Sequence, residues 1–334
     1  MKDVYILGIE SSCDETSVSI VKNGCKDIAT VVLSQMDTHA KYGGVVPEIA
    51  SRMHVENISL VIEECLNKAN MKMDDIEAIA VTNGPGLIGS LLIGTTAALT
   101  LSYLYNKPLV PVHHISGHIY ANNLEKEMQF PLIALVVSGG HTELIYMKEH
   151  YNFKRIGGTL DDAVGEAYDK VARVIKLPYP GGPLVDKLSY EGKDIYDLPR
   201  PLDDDSYNFS FSGLKSAVIN LSYNEEQRGN IIDKSSLACS FQNRVVEIIT
   251  KKTFKSLKEY NVKNLIVAGG VAANSGLRNK LTEMALKNNI NLSIPALKYC
   301  TDNATMIAAS GYFAYLKGIR ANLDLKTRAN MELK

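Results

Sequence analysis

A chain of 334 residues with 46% hydrophobic and 22% charged side chains has the composition of an ordinary globular protein and is too long for one core, so two domains are expected. A formal net charge of −1 provides no global positive field for nucleic acid or membrane, so any nucleic acid must be met by local patches or with another protein's help. The five cysteines (Cys13, Cys25, Cys65, Cys239 and Cys300) are scattered and form no C-x-x-C pair, which fits free thiols in a reducing compartment better than disulfides or a zinc knuckle.

Met1-Lys2-Asp3-Val4 runs straight into a strand pattern with no signal-peptide features, and a cytoplasmic protein is expected. Apolar runs at Val4 to Glu10, Thr16 to Val21 and Ile28 to Leu33, with Asn23-Gly24 as a hairpin signal, predict an antiparallel meander whose first turn is the polar loop Ser11 to Glu15. A period of 3.6 predicts a helix over Pro47 to Ala69, followed by a strand at Ile76 to Val81. Gly86 to Tyr105 is apolar and about long enough to span a bilayer. Its glycines, serines and threonines, with no basic flank, favour a helix buried between layers, and no membrane partner is expected. Leu109 to Val112 is the next strand.

At Pro131 the pattern restarts. Strands at Leu132 to Val137 and Thr142 to Met147 flank the loop Ser138-Gly139-Gly140-His141, paralleling the strand, small polar loop, threonine and strand of the N-terminus. A helix from Thr159 to about Ile175, a Pro/Gly turn at Pro178 to Pro183, a tyrosine-rich stretch through Phe211 and further helices to about Tyr260 follow. Leu265 to Ala268 is a strand feeding Gly269-Gly270, Ser275 is placed to cap the next helix, and a last helix begins near Asp302. The expected architecture is α/β and duplicated, with lobes at 1–130 and 131–334, an insertion at about 176–235, a final helix that packs back toward the cleft, and a ligand between the lobes.

His114 and His118 stand at i and i+4, one face of a helix, where they either share a metal ion or simply pack. The spacing echoes the zinc-protease H-E-x-x-H, but Ile115 occupies the general-base position and cannot activate water. Gly139-Gly140 reads as a plain hairpin turn or, with its N-terminal counterpart, as a clamp whose backbone N–H groups converge on phosphate. Gly269-Gly270 at a helix start suits an anionic group or is an ordinary turn. Gly84-Pro85-Gly86-Leu87-Ile88-Gly89 matches a dinucleotide fingerprint, but the next strand ends at Val112-His113 without the acidic residue a ribose needs. Lysines at 251, 252, 255, 258 and 263, and Lys317, Arg320, Lys326 and Arg328, are candidate RNA contacts or solvated faces. Phe209-Ser210-Phe211 and its tyrosines suit base stacking or packing equally.

Taken together, Gly8 to Thr16, Asn83 to Leu87, His113 to His118, Val137 to Thr142, Gly165 to Lys170, Tyr179 to Gly182, Gly269 to Asn274 and Thr301 to Asn303 resemble, in order and over essentially the whole chain, the TsaD family of tRNA N6-adenosine threonylcarbamoyltransferases. The resemblance implies an actin-like ATPase fold (the sugar kinase, Hsp70 and actin superfamily). It implies transfer of a threonylcarbamoyl group from threonylcarbamoyl-adenylate to N6 of adenosine 37 in tRNAs reading ANN codons. It further implies one divalent metal, iron favoured and zinc possible, on His114, His118 and Asp302. Val137, Ser138, Gly139, Gly140 and His141 would line the acyl-phosphate, and Asp169, Gly182, Asp186 and Asn274 the adenosine. Asp186 stands where archaeal and eukaryotic relatives carry glutamate, which resembles the bacterial type. Expected partners are tRNA, a paralogous subunit (TsaB) and a small P-loop ATPase (TsaE). Asp14, in the first loop, is the candidate to accept the amine's proton or to orient the amine. The competing activities are a small-molecule kinase of the same fold, a metallopeptidase, and a non-catalytic scaffold in a tRNA-modifying complex.

Overall fold

The computed structural model describes residues 3–333; the Met1-Lys2 part of the N-terminal reading lies outside the described residues. In chain order the elements are β1 (Tyr5–Glu10), β2 (Glu15–Lys22), β3 (Lys26–Ser34), α1 (Met36–Ala40), α2 (Pro47–Ala69), β4 (Ala78–Gly84), α3 (Ile88–Tyr105), β5 (Leu109–His113), α4 (His114–Tyr120), β6 (Leu132–Val137), β7 (Thr142–Met147) and β8 (Phe153–Gly158). They continue as α5 (Val164–Val174), α6 (Gly181–Ser189), α7 (Ser212–Gln227), α8 (Lys234–Glu259), β9 (Asn264–Ala268), α9 (Ser275–Asn288), β10 (Asn291–Ser293) and α10 (Ala304–Leu316).

Two compact units result, one of Met1–Met128, Glu149–Asn152 and Pro295–Lys334, the other of Gln129–Lys148 and Phe153–Ile294. The first holds a five-stranded sheet ordered β3-β2-β1-β4-β5 and the second one ordered β8-β7-β6-β9-β10. In both, the first three strands form an antiparallel meander and the last two run parallel to the first. The weak repeat of strand, loop, threonine and strand is therefore the visible trace of a duplicated topology. Asn23 and Gly24 both take positive φ, 53° and 67°, the two-residue turn that matches strand twist.

In the first unit alternation along β1 sends Leu7 and Ile9 to a core shared with Ile58, Val61 and Cys65 of α2, and Ile6 to an opposite core with Met306, Ile307 and Ala308 of α10. The final segment therefore belongs to the first unit and not to a lobe running from 131 to 334. The reason is that α10 is apolar all round and finds its cover on the second face of this sheet. Gly8 permits the contact, since a Cβ there would stand 2.8 Å from the Ala308 nitrogen.

Two sequence expectations change, and one open alternative resolves to packing. The 88–105 helix is not buried between layers: Leu91, Gly94 and Ala98 face the core, while Leu92, Tyr103 and Leu104 are 49%, 72% and 66% exposed. The 159–175 helix starts only at Val164, because Thr159 bridges to Phe209 and its Oγ1 donates to the Asp162 carbonyl. Phe209 and Phe211 are fully buried and stack on each other at 6.2 Å, so neither is free to stack on a base.

Candidate metal centre and nucleotide cavity

β5 delivers His113 to the start of α4, whose first residue is His114. The helical step brings His118 onto the same face, with ring centroids 4.7 Å apart and planes crossed at 81°. Asp302 arrives from just before α10, with Asn303 as N-cap accepting the Met306 N–H. Gly117 is what lets the two helices meet, since a Cβ there would stand 2.6 Å from Ile307 Cδ1 and 3.2 Å from Met306 Cγ. Asp302 Oδ1 then lies 3.4 Å from His114 Nε2 and 3.1 Å from His118 Nε2.

The three donor atoms fall within 4.8 Å of one another, and two imidazole nitrogens with one carboxylate oxygen suit iron or zinc. The surroundings fit that use. Buried Glu10 accepts the Ser12 N–H at 2.5 Å and the Thr82 hydroxyl at 2.7 Å, and its Oε2 stands 3.1 Å from His114 Nδ1. A buried carboxylate behind a ligand histidine fixes ring orientation and raises its basicity. Burial opposes charge on His114, but Asp302 and Glu10 outweigh it and hold its pKa well above the ordinary value. Burial likewise opposes charge on Asp302, and the two histidines overcome it and depress that carboxyl. Glu10 was not among the sequence candidates; an acidic residue ending an otherwise apolar strand was the available signal.

Asp14 lies in the β1–β2 loop, half-buried, with its carbonyl accepting the Gln35 N–H. After burial and Asp302, its charge acts on the neighbouring Cys13 thiol and Glu15 carboxyl, raising both. Burial, with the Asp302 and Asp14 charges, pushes the Glu15 carboxyl up to about 9, so the loop offers two carboxyl groups where the sequence reading singled out one.

The second unit carries a cavity of about 260 Å³. Gly139, Asp169, Gly182, Asp186 and Asn274 all line it, five of the nine expected substrate residues in one place. Gly140 lies beside Gly139 in the exposed turn, where the Ser138 N–H donates to the His141 carbonyl and the His141 N–H to Ser138 Oγ. Val137 is fully buried, so only its backbone is available to a ligand. Gly165 lets α5 begin under this loop; its Cβ would meet the Ser138 carbonyl at 2.7 Å.

Several cavity residues also hold the fold. Asp169 Oδ1 accepts the Gly181 and Gly182 N–H groups at 2.8 and 3.2 Å. Asp186 accepts the Ser275 N–H and hydroxyl. Asn274, not Ser275, caps α9 through the Leu277 N–H, because Ser275 is already helical. Behind the wall Gln242 accepts from Asn274 and Tyr168 and donates to Ser189 Oγ, a buried network the sequence did not reveal.

A family model described as TsaD, tRNA N6-adenosine threonylcarbamoyltransferase, matches residues 27–309. The chain belongs to the TsaD family. It is 59% identical over 333 residues to the tRNA N6-adenosine threonylcarbamoyltransferase of Staphylococcus haemolyticus, covering 99% of this chain and 97% of that one. With the enzyme of the same name from Staphylococcus saprophyticus it shares 60% over 329 residues, covering 98% and 96%. Among solved structures, HypF of T. kodakarensis aligns with TM-score 0.62 at 14% identity, covering 97% of this chain and 49% of that one. The Acidaminococcus fermentans (R)-2-hydroxyglutaryl-CoA dehydratase component A aligns with TM-score 0.55 at 17% identity, covering 92% and 98%. These likenesses, with the duplicated sheets, give this TsaD-family chain the actin-like ATPase fold.

Five of the nine candidate basic residues are already engaged within the fold. Lys251, Lys252 and Lys255 pair with Asp203, Asp204 and Asp205, Lys317 pairs with Glu149, and Arg320 lies 3.8 Å over the Tyr315 ring. Ile115 is buried and apolar, so the position after His114 offers the site no general base.

Proposed function

We propose that this chain transfers the threonylcarbamoyl group from threonylcarbamoyl-adenylate to N6 of adenosine 37 in tRNAs reading ANN codons, releasing AMP, and that it works in the cytoplasm. The observation that carries the reading is that a chain 59% identical to named threonylcarbamoyltransferases possesses both a His, His, Asp donor set and a cavity lined by Gly139, Asp169, Gly182, Asp186 and Asn274. In the reaction the amine nitrogen forms a bond to the carbamoyl carbon, the bond from that carbon to the phosphate oxygen breaks, and the amine loses a proton.

Asp169, Gly182, Asp186 and Asn274 would bind the adenosine portion of the donor. Gly139 and Gly140, whose positions leave open space where a Cβ would stand, present backbone N–H groups to the leaving phosphate. Asp14 orients the amine or takes its proton, with Glu15 as the second carboxyl at that loop. His114, His118 and Asp302 would hold iron or zinc, which when bound supplies a Lewis acid. TsaB and TsaE are the proposed partners. The near-neutral charge and the pairing of the α8 lysines support a tRNA affinity that depends on them.

The test incubates the chain, its partners, unmodified tRNA and synthetic threonylcarbamoyl-adenylate, with nucleosides read by mass spectrometry. Modified adenosine is expected from wild type, with at least a hundredfold loss for Asp302→Ala. No modified adenosine alongside phosphorylation of a small molecule would replace this reading with the kinase.

A further inference from the structure

The Gly84-Pro85-Gly86 turn that mimics a dinucleotide fingerprint is occupied by the chain itself. After α10 the backbone returns along the first sheet, the Ala321 N–H donating to the Leu109 carbonyl of edge strand β5. It then crosses the carboxyl ends of β4 and β5. The Arg328 N–H donates to the Asn83 carbonyl at 2.9 Å, and the Gly86 N–H donates to the Ala329 carbonyl at 3.1 Å. Gly84 makes room for it: a Cβ there would stand 2.5 Å from the Arg328 carbonyl oxygen and 3.2 Å from Met331 Sδ.

The last contact of this segment reaches the metal-donor helix. His113 Nδ1 accepts the Ile115 N–H at 3.1 Å, the N-cap bond of α4. A nitrogen that accepts carries no proton, so Nε2 carries it and donates to the Met331 carbonyl at 3.1 Å. One imidazole thus ties the returning segment to the first turn of a seven-residue helix, too short to hold its own shape.

The two donor histidines depend on that helix unequally. Glu10 holds His114 by Nδ1, whereas His118 Nδ1 is buried with no hydrogen-bond partner among the described residues. The aim of His118 is therefore set by the placement of α4 itself. At its far side α4 rests on α10 through Gly117 and the Ser116–Ser310 hydroxyl pair, and at its start it rests on His113.

We propose that residues 321–331 are a strap that positions α4 through His113, so that the divalent-ion affinity of His114, His118 and Asp302 depends on a segment that contributes no donor. His113 is in this view a positioning residue. The inference rests on the metal reading of the site and adds to it a distant control.

Two variants test it: a chain ending at Lys326, which removes all three contacts from Arg328 to Met331, and His113→Asn. Asparagine keeps a good N-cap acceptor for the Ile115 N–H but is too short to span to Met331. Zn(II) affinity is measured by competition with a chromophoric chelator, and amide exchange is followed over residues 114–120. Each variant is expected to lose about tenfold in Zn(II) affinity, as second-shell changes do. Exchange in α4 is expected to quicken while β1 and β6 keep wild-type protection, and the combined variant is expected to lose no more than either alone, because both cut one line of contact. Wild-type Zn(II) affinity and wild-type exchange in the variants would overturn the proposal. If the shortened chain does not fold, His113→Asn decides alone. If wild type itself binds no Zn(II), the metal reading fails and the proposed control of ion affinity fails with it; exchange in α4 then reports only on the strap's contact with the helix.

Discussion

Gly269 follows β9 at φ 94°, and a Cβ there would press on the Val137 carbonyl and stand 3.2 Å from Ser138 Cβ. Neither neighbour yields, since both belong to the β6–β7 hairpin under which α5 begins. Gly269→Ala is expected to cost about 1–3 kcal/mol, combining left-handed backbone strain with that contact. A urea melt checks it, and a midpoint equal to wild type would mean the hairpin moves freely. At this scale the legible residues were those whose partners lie one helical turn away, such as His114 and His118. Asp302, which comes from a different helix, was reached only through the resemblance. The double duty of Asp186 and Asn274 as helix caps was not legible at all, because a cap bond depends on where two distant segments meet.

Among the elements, α8 shows how a charge run misleads. Read alone, Lys251, Lys252 and Lys255 are a basic stripe; in the fold they match Asp203, Asp204 and Asp205 one for one. Lys252 is almost wholly buried, bonded to Asp204 at 2.8 Å and to the Ser206 carbonyl at 2.9 Å. Asp204→Ala leaves that ammonium with the carbonyl alone and is expected to lower stability by about 1–3 kcal/mol by chemical denaturation. Lys251→Ala with Lys255→Ala is expected to leave the salt dependence of tRNA binding unchanged, whereas free phosphate contacts would each lower its slope by about one. A slope reduced by about two would return the stripe to the tRNA interface.

The turn after β7 sets a pH response. His150 lies 3.9 Å from the Phe313 ring in a near-parallel stack, and Tyr120 Oη, which accepts the Tyr151 N–H, is hydrogen-bonded to its Nδ1 at 3.1 Å. Burial, then the charge of Lys317, pushes its pKa down to about 4, with Glu149 acting weakly against them. A histidine depressed when folded stabilises fully above the unfolded value of about 6.5, and that contribution is lost as pH falls toward 4. Melting temperature is expected to fall between pH 6.5 and 4.5 in wild type and to fall less in His150→Gln. Equal slopes for the two proteins would remove His150 as the cause.

For the molecule as a whole, duplication was legible because strand alternation and two-residue turns are local signals. The matching β3-β2-β1-β4-β5 and β8-β7-β6-β9-β10 orders, and the return of α10 to the first sheet, depend on long-range pairing that no local pattern encodes.

The outer side of α3 was also misread, because apolar composition signals burial without saying what does the burying. Val55 and Leu60 of α2 and Leu92, Tyr103 and Leu104 of α3 remain exposed, and a groove of about 340 Å³ is lined by Val55, Ile58 and Ile62 of α2 and Ile93, Ala97 and Leu101 of α3. This exposed apolar face is where the proposed paralogous subunit would dock. Leu92 projects outward, so Leu92→Glu disturbs no packed core and is expected to leave the melting temperature within about a degree or two of wild type. The same change places an unpaired charge in the contact and is expected to abolish co-purification with TsaB and, with it, modification of tRNA. Retention of the partner by a folded Leu92→Glu chain would move that interface elsewhere on the first unit.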